Sequence, residues 1–377
     1  MDRLRTHLKV TVILSAAAFV AGCIAPPAFA AEDIESLKSL DTLGLPAGSP
    51  RLSLPIQIDS AARKRPSASQ PVAPQSQGYT LLTQPDSGRG QILSLLNGAQ
   101  SSIDLTIYEI EDPQIISALT AAAKRGVSVR VLYNYYSFQG YSHDPNAQYV
   151  AQLNAGGVQT KQASQQFTVT HQKTFTIDGS VSVIMTFNLN PNYFSTTRDF
   201  GIVTSDPGQV AEIAKVFEAD WAYQSVTPSQ SALVWSPDNS RNKILDIING
   251  ATRSLDIYNE ETADRDCMQA LISAAKRGVA VRFITAILKS SSNPTDGNAA
   301  ERATLNSNGV QAKGLASPYI HAKMILADYG IGSAQAFLGS ENFSWTSLNK
   351  NRELGIILND SAILSSLEGT FEADWGK

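Results

Sequence analysis

The sequence predicts an α/β fold of two similar lobes, each a mixed, largely parallel β-sheet flanked by helices, the two related by pseudo-two-fold symmetry. Three observations carry this expectation: an internal repeat, an alternation of helical and strand patterns within each copy, and a Pro/Ser-rich break between the copies. The repeat has a spacing of about 150 residues. Pro85-Asp86, Arg89 and Ile92 return as Pro237-Asp238, Arg241 and Ile244, and the run from Ile92 to Ala99 returns from Ile244 to Ala251. Ala122-Ala123-Lys124-Arg125-Gly126-Val127 returns as Ala274-Ala275-Lys276-Arg277-Gly278-Val279, and Phe217-Glu218-Ala219-Asp220-Trp221 recurs unchanged at Phe371 to Trp375.

Within the first copy, Ile92 to Ala99 has helical spacing, and its Asn97-Gly98 is a C-terminal signal. Ser102 to Tyr108 alternates as a strand does. Ile115 to Arg125 is amphipathic and ends at Gly126, a left-handed cap, with Lys124 and Arg125 at the negative end of the helix. Val127 to Leu132 is again a strand, so strand–helix–strand implies parallel pairing through a right-handed crossover. Pro228, Ser229 and Ser231 place the break between lobes near residues 226–236, giving a first lobe over 78–228 and a second over 229–377. Trp221 and Trp375 read as packing residues at helix ends.

Upstream of the repeat, Arg3, Arg5 and Lys9 precede an apolar run from Val10 to Ala21, and Ala28-Phe29-Ala30 offers a cleavage site. Residues 1–30 therefore read as a signal peptide, and the product as exported, periplasmic or secreted. The alternative is Val20-Ala21-Gly22-Cys23, which has the form of a lipobox and would anchor an outer-membrane lipoprotein through Cys23. Residues 31–77 are rich in Pro and Ser and read as a disordered arm. Of 377 residues 43% are hydrophobic and 17% charged, which excludes a disordered or fibrous chain. The net charge of −4 weighs against a polyanion-binding protein, and two cysteines exclude a disulfide framework.

The chemistry is concentrated in histidine. Of four His, His171 and His321 each carry Lys two positions on (Lys173, Lys323) and Asp seven positions on (Asp178, Asp328), at equivalent places in the repeat. The alternating apolar residues that follow suggest a strand, which would project His and Lys to one face. A neutral imidazole is a nucleophile toward phosphorus, and a protonated partner can donate to the leaving oxygen. Two ammonium groups can hold the non-bridging oxygens, leaving no task for a metal. One lobe supplies half of this set, so the duplication would build one shared site. His143 has no twin and reads as a loop residue, and the cluster Tyr133, Tyr135, Tyr136, Phe138 and Tyr141 is either loop packing or a wall for an acyl chain or headgroup.

Over residues 78–377 this pattern resembles the phospholipase D superfamily, whose signature is the duplicated His-x-Lys-x4-Asp motif. The signature continues as Gly-Ser-x-Asn and then an acid: here Gly339-Ser340-Glu341-Asn342 with Glu353, and Met185-Thr186-Phe187-Asn188 with Asp199. The spacing from Asn to acid is eleven in both halves. The resemblance implies a phosphohistidine intermediate with His171 as nucleophile and His321 as acid and then base. Asp199 and Glu353 would each orient the imidazole of its own lobe. Thr186, Asn188, Ser340 and Asn342 would donate to phosphate oxygens, while Asp178 and Asp328 would support the structure. It also implies neither metal nor other cofactor, no obligate protein partner, and a monomer. The expected substrate is a phospholipid at a membrane surface, hydrolysed between phosphatidate and its headgroup. An exported nuclease is one alternative, disfavoured by the negative charge. A weakly active lipid-binding envelope lipoprotein is another, disfavoured because binding alone needs no second imidazole.

Overall fold

The computed structural model describes residues 78–136, 144–289 and 294–377. The expected signal peptide, arm and lipobox, along with His143, Phe138 and Tyr141, lie outside these residues.

The first lobe runs β1 (Tyr79–Gln84), α1 (Gly90–Gly98), β2 (Ser102–Ile107), α2 (Pro113–Lys124), β3 (Ser128–Tyr133), α3 (Ala147–Ala155), β4 (Gln159–Gln162), β5 (Thr174–Ile177), β6 (Val181–Met185), β7 (Thr197–Thr204) and α4 (Pro207–Ala222). The second repeats it: β8 (Leu233–Ser236), α5 (Ser240–Gly250), β9 (Ser254–Asn259), α6 (Arg265–Lys276), β10 (Ala280–Ala286), α7 (Ala299–Ser307), β11 (Gln311–Leu315), the short β12 (Tyr319–Ile320), β13 (Met324–Ala327), β14 (Gln335–Gly339), α8 (Trp345–Asn349), β15 (Glu353–Leu358) and α9 (Ser361–Trp375). The sheets match strand for strand, β1-β7-β6-β5-β2-β3-β4 against β8-β15-β14-β13-β9-β10-β11. They are mixed as expected, but within the matched strand orders only β2-β3-β4 and β9-β10-β11 pair in parallel and the other ladders are antiparallel; the short β12 adds a parallel pair with β7 across the lobes. The reason lies in the loops. Three residues, Asp178 to Ser180, join β5 to β6, and so few can only turn a hairpin. Asp178 and Gly179 supply the left-handed conformations of that turn, at φ 52° and 61°.

Local signals act as the sequence requires. Asp112 caps α2 by accepting from the N–H of Gln114 and Ile115, with Pro113 in the first turn, and Asp264 caps α6 in the same way. Arg89 and Arg241, the arginines of the repeat, each donate to the capping Asp of their lobe, at 2.6 and 2.9 Å. Gly126 and Gly278 take left-handed φ after α2 and α6. Each lobe has an apolar core, centred on Ile103, Leu105 and Phe175 in one and Leu255, Ile257 and Ile325 in the other. A further core joins Ile184, Phe200 and Ile202 of the first lobe to Leu338, Leu354 and Ile356 of the second. The link between lobes is held by Glu212, which accepts from the N–H of Ser229 and Gln230 and from Trp235 Nε1.

Across this junction the contacts are reciprocal. Arg198 binds Asp374 of α9 with Nε and Nη2, at 2.6 and 3.2 Å, and Arg352 binds Asp220 of α4 at 3.0 Å. The two aspartates are those of the repeated Phe-Glu-Ala-Asp-Trp. The backbone follows the same exchange: the carbonyl of Arg198 accepts from His321 and Ala322, and that of Arg352 from His171 and Gln172.

Candidate active site

These backbone bonds carry each His-Lys motif across the junction. His171 and Lys173 lead into β5, while His321 and Lys323 sit between β12 and β13, where β12 pairs with β7 of the other lobe. Both imidazoles and both lysines are buried.

Contrary to expectation, the orienting carboxylates are exchanged between lobes. His171 Nδ1 lies 2.8 Å from Glu353 Oε2 and 3.1 Å from the Ser340 carbonyl, whereas His321 Nδ1 lies 2.9 Å from Asp199 Oδ1. The physical cause is the strand exchange just described: each His docks on the residue preceding the acid of the opposite lobe. Because carboxylates and carbonyls accept, Nδ1 carries a proton in each ring, and Nε2 is the nitrogen left to exchange an electron pair or a proton with substrate.

Each acid is held in turn. Asp199 accepts from the hydroxyls of Thr186 and Thr197, both at 2.6 Å, and Glu353 accepts from Ser347 Oγ at 2.6 Å and Asn351 Nδ2 at 3.0 Å. The Thr186 hydroxyl, which also accepts from the N–H of Phe200, is therefore committed to Asp199 rather than offered to a phosphate. Ser340 Oγ accepts from the N–H of Leu354, the matching contact of the second lobe. Asn188 and Asn342 are buried, with side-chain oxygens that have no hydrogen-bond partner.

Each lysine donates to the carbonyl of its own histidine at 2.6 Å. Burial and the nearby Lys323 ammonium lower the Lys173 pKa to about 7. Burial also lowers His171, with Lys173 acting in the same sense and Glu353 against it, and it lowers His321 further, with Lys323 and Lys173 in the same sense. Burial raises Asp199 to about 7. The four motif side chains thus feel one another across the lobes and enclose one site.

Asp178 and Asp328 lie at the far ends of β5 and β13. Asp178 accepts from the N–H of Gln100, Ser101 and Ser102, and Asp328 from that of Thr252, Arg253 and Ser254. Burial would raise Asp178, but these donors outweigh it and hold the carboxyl at about 2.

Sequence reasoning missed three groups here. Glu260 accepts from Lys323 Nζ and the Tyr319 hydroxyl, both at 2.9 Å. Tyr108 packs edge-on against His171, with ring centroids 4.9 Å apart, and Tyr193 lies 4.6 Å from the His321 ring. Of the aromatic cluster, Tyr136 is buried behind Tyr108 and donates to Glu109. Glu341 is fully buried, with no side-chain partner for either oxygen, and burial together with Glu353 raises its carboxyl well above the usual range, against the backbone N–H groups of Ser340 and Glu341. Its carboxyl also explains Gly339: a Cβ there would stand 2.2 Å from Glu341 Oε2 and 2.6 Å from Gly355 Cα. In the first lobe Phe187 replaces Glu341, and Met185 takes the glycine's place.

Fold and site define a two-lobed protein with one centre of paired His, Lys and carboxylate groups suited to phosphoryl transfer. The family model described as "Cardiolipin synthase, PLD-like domain" matches residues 92–221 and 244–375, and the chain belongs to that family within the phospholipase D superfamily. Among curated relatives, "Mitochondrial cardiolipin hydrolase" of Xenopus laevis is 28% identical over 150 residues, covering 40% of this chain and 69% of that protein. "Phospholipase D Z" of Dictyostelium discoideum is 31% identical over 138 residues, covering 35% of this chain and 28% of that protein. "Cardiolipin synthase A" of Pseudomonas aeruginosa is 25% identical over 151 residues, covering 40% of this chain and 29% of that protein. Among solved structures, phosphatidylserine synthase of Haemophilus influenzae has a TM-score of 0.62 at 12% identity, covering 79% of this chain and 86% of that one. Polyphosphate kinase of Porphyromonas gingivalis has a TM-score of 0.61 at 18% identity, covering 79% and 50%. These two likenesses concern the fold.

Proposed function

We propose that the protein is an exported phosphodiesterase that hydrolyses the bond between phosphatidate and its headgroup. The observation that carries the reading is the pair of Nδ1-anchored imidazoles, each held by the other lobe's carboxylate, beside two buried lysines. Nε2 of one His attacks phosphorus, and the bond to the headgroup oxygen breaks with its electron pair. That oxygen takes the Nε2 proton of the other His. Water then attacks the phosphohistidine and gives its proton back to the second His, and the P–N bond returns its pair to the first. Lys173 and Lys323 offset the charge on the non-bridging oxygens. Lipid as substrate is supported by the likeness to a cardiolipin hydrolase and to phospholipases D and by the chain's net charge of −4.

The test is a panel of phosphatidylcholine, cardiolipin, plasmid DNA and bis(p-nitrophenyl) phosphate given to purified protein. Release of headgroup alcohol with phosphatidate left behind is expected. Plasmid cleavage without lipid turnover would assign the nuclease reading instead, and transfer of phosphatidyl to an added alcohol in preference to water would remove hydrolysis. Secretion of a full-length fusion, with cleavage after Ala30 by N-terminal sequencing, tests export.

A further inference from the structure

The two halves of the site match in His, Lys and the place of the orienting acid, yet one of their differences falls directly beside the His and Lys. β2 and β9 are six-residue strands in the same register of the repeat, and the residue that follows is Tyr108 in one and Glu260 in the other. Tyr108 presents its ring to His171 and stands 5.2 Å from Lys173 Nζ. Glu260 places Oε2 2.9 Å from Lys323 Nζ and 3.6 Å from His321 Nε2, and Oε1 2.9 Å from the Tyr319 hydroxyl. Its own carbonyl accepts from Asn298 Nδ2 at 2.7 Å, which fixes the backbone beneath it.

We propose that Glu260 is a positioning residue that makes His321 the proton donor of the first step and leaves His171 as the nucleophile. This rests on the phosphodiesterase reading above. With Nδ1 committed to Asp199, Nε2 is the nitrogen of His321 that can exchange a proton with substrate, and Glu260 sets a carboxylate beside that nitrogen. The groups facing His321 are Lys323, Lys173, His171, Asp199, Tyr193 and Glu260. Burial and the two lysines disfavour the imidazolium, and Glu260 opposes them. Glu260 is itself held ionised: burial would raise it, but Lys323 and His321 bring it to about 2. The same carboxylate accepts from Lys323 Nζ, whereas Lys173 packs against the Tyr108 ring, with Glu353, Glu109 and Glu260 acting on its charge. The carboxylate beside Nε2 therefore marks the His321 side as the one on which the leaving oxygen is protonated, with attack from His171.

The test compares two soluble diesters that do not depend on the lipid assignment. Bis(p-nitrophenyl) phosphate expels nitrophenolate without a proton; diphenyl phosphate has a poorer leaving group that needs one. In Glu260→Gln the pre-steady-state rate with diphenyl phosphate falls ~100-fold, while that with bis(p-nitrophenyl) phosphate falls less than ~5-fold, because a general acid matters only where the leaving group requires it. Glu260→Asp recovers part of the diphenyl phosphate rate. In the unsubstituted protein, quenching in base during turnover of bis(p-nitrophenyl) phosphate and peptide mass spectrometry place the adduct on His171. Equal slowing of both diesters, or an adduct on His321, overturns the proposal, and the mapping decides even where the variant fails to fold. An unsubstituted protein that cleaves neither diester overturns the phosphodiesterase reading and this inference together. One that cleaves both but no phospholipid overturns only the lipid assignment, and the aryl diesters still decide the role of Glu260.

Discussion

Replacing Asp374 by Ala tests the junction on which the site depends. Asp374 is fully buried, and Arg198, its partner, has a side chain 7% exposed. The substitution removes two of the guanidinium's hydrogen bonds and leaves it the Gln84 carbonyl at 2.6 Å and the mostly exposed Asp86 at 3.3 Å. Tyr258 also loses its acceptor at 2.8 Å. Stranding one partner of a buried pair costs about 3–5 kcal/mol. At about 2.1 cal/mol/K per residue, the 300 residues from 78 to 377 unfold with an entropy of roughly 0.6 kcal/mol/K, so Tm should fall by about 5–8 °C. Replacing both partners, Arg198→Met with Asp374→Leu, should recover most of that loss, because no charge is left buried alone. Scanning calorimetry of the parent, Asp374→Ala, Arg198→Met, Asp374→Leu and the Arg198→Met, Asp374→Leu double variant measures the loss and closes the cycle. The mirror variant Asp220→Ala should be milder, since Arg352 keeps Asp238 at 3.0 Å. A Tm within about 1 °C of the parent for Asp374→Ala, or a double variant that loses the sum of the singles, would refute the reasoning.

Four further outcomes follow from single features. Glu341→Met should raise stability by about 1–2 kcal/mol in urea unfolding, because a buried carboxyl without side-chain partners is removed; a loss would mean that the carboxyl is satisfied. Lys173, lowered to about 7, carries its charge below that pH, so inorganic phosphate should bind progressively more weakly as pH rises through 7, and Lys173→Met should flatten that profile in isothermal titration. Asp178, held at about 2, contributes stability that is present above its unfolded pKa and lost as pH falls toward 2; Asp178→Asn, which tolerates the left-handed backbone, should remove that dependence with less total loss than Asp178→Ala. Turnover should survive EDTA, since the lysines supply the positive charge, and a chelation-sensitive rate would contradict this.

Much of the architecture was legible because duplication wrote it twice. The glycines that end α2 and α6 follow from short-range chemistry that a sequence displays. The strand directions beyond β2-β3-β4 did not, although three residues between Ile177 and Val181 already exclude a crossover. The exchange of Asp199 and Glu353 had no local signal, for a residue eleven positions after Asn has no way to show which lobe it faces. One hint was available: Arg stands before both acids, and the unchanged Phe-Glu-Ala-Asp-Trp supplies the aspartates those arginines bind. Glu260 was hidden for a different reason. Repeat comparison rewards identity, and Glu260 matters because it breaks the repeat.

That exchange changes what the duplication is for. If each acid served its own lobe, a single lobe would hold an oriented imidazole and need its partner only to supply the second half of the reaction. Here an isolated lobe would hold neither: His171 without Glu353 and His321 without Asp199 lose the acceptor that fixes the Nδ1 proton and leaves Nε2 free. The arginine–aspartate pairs beside each acid bind the same strands, so the contacts that dock the lobes also set the imidazoles. Docking and activation are one event, and a perturbation at Asp374, remote in sequence from both motifs, should reach turnover through the Arg198 carbonyl that holds His321.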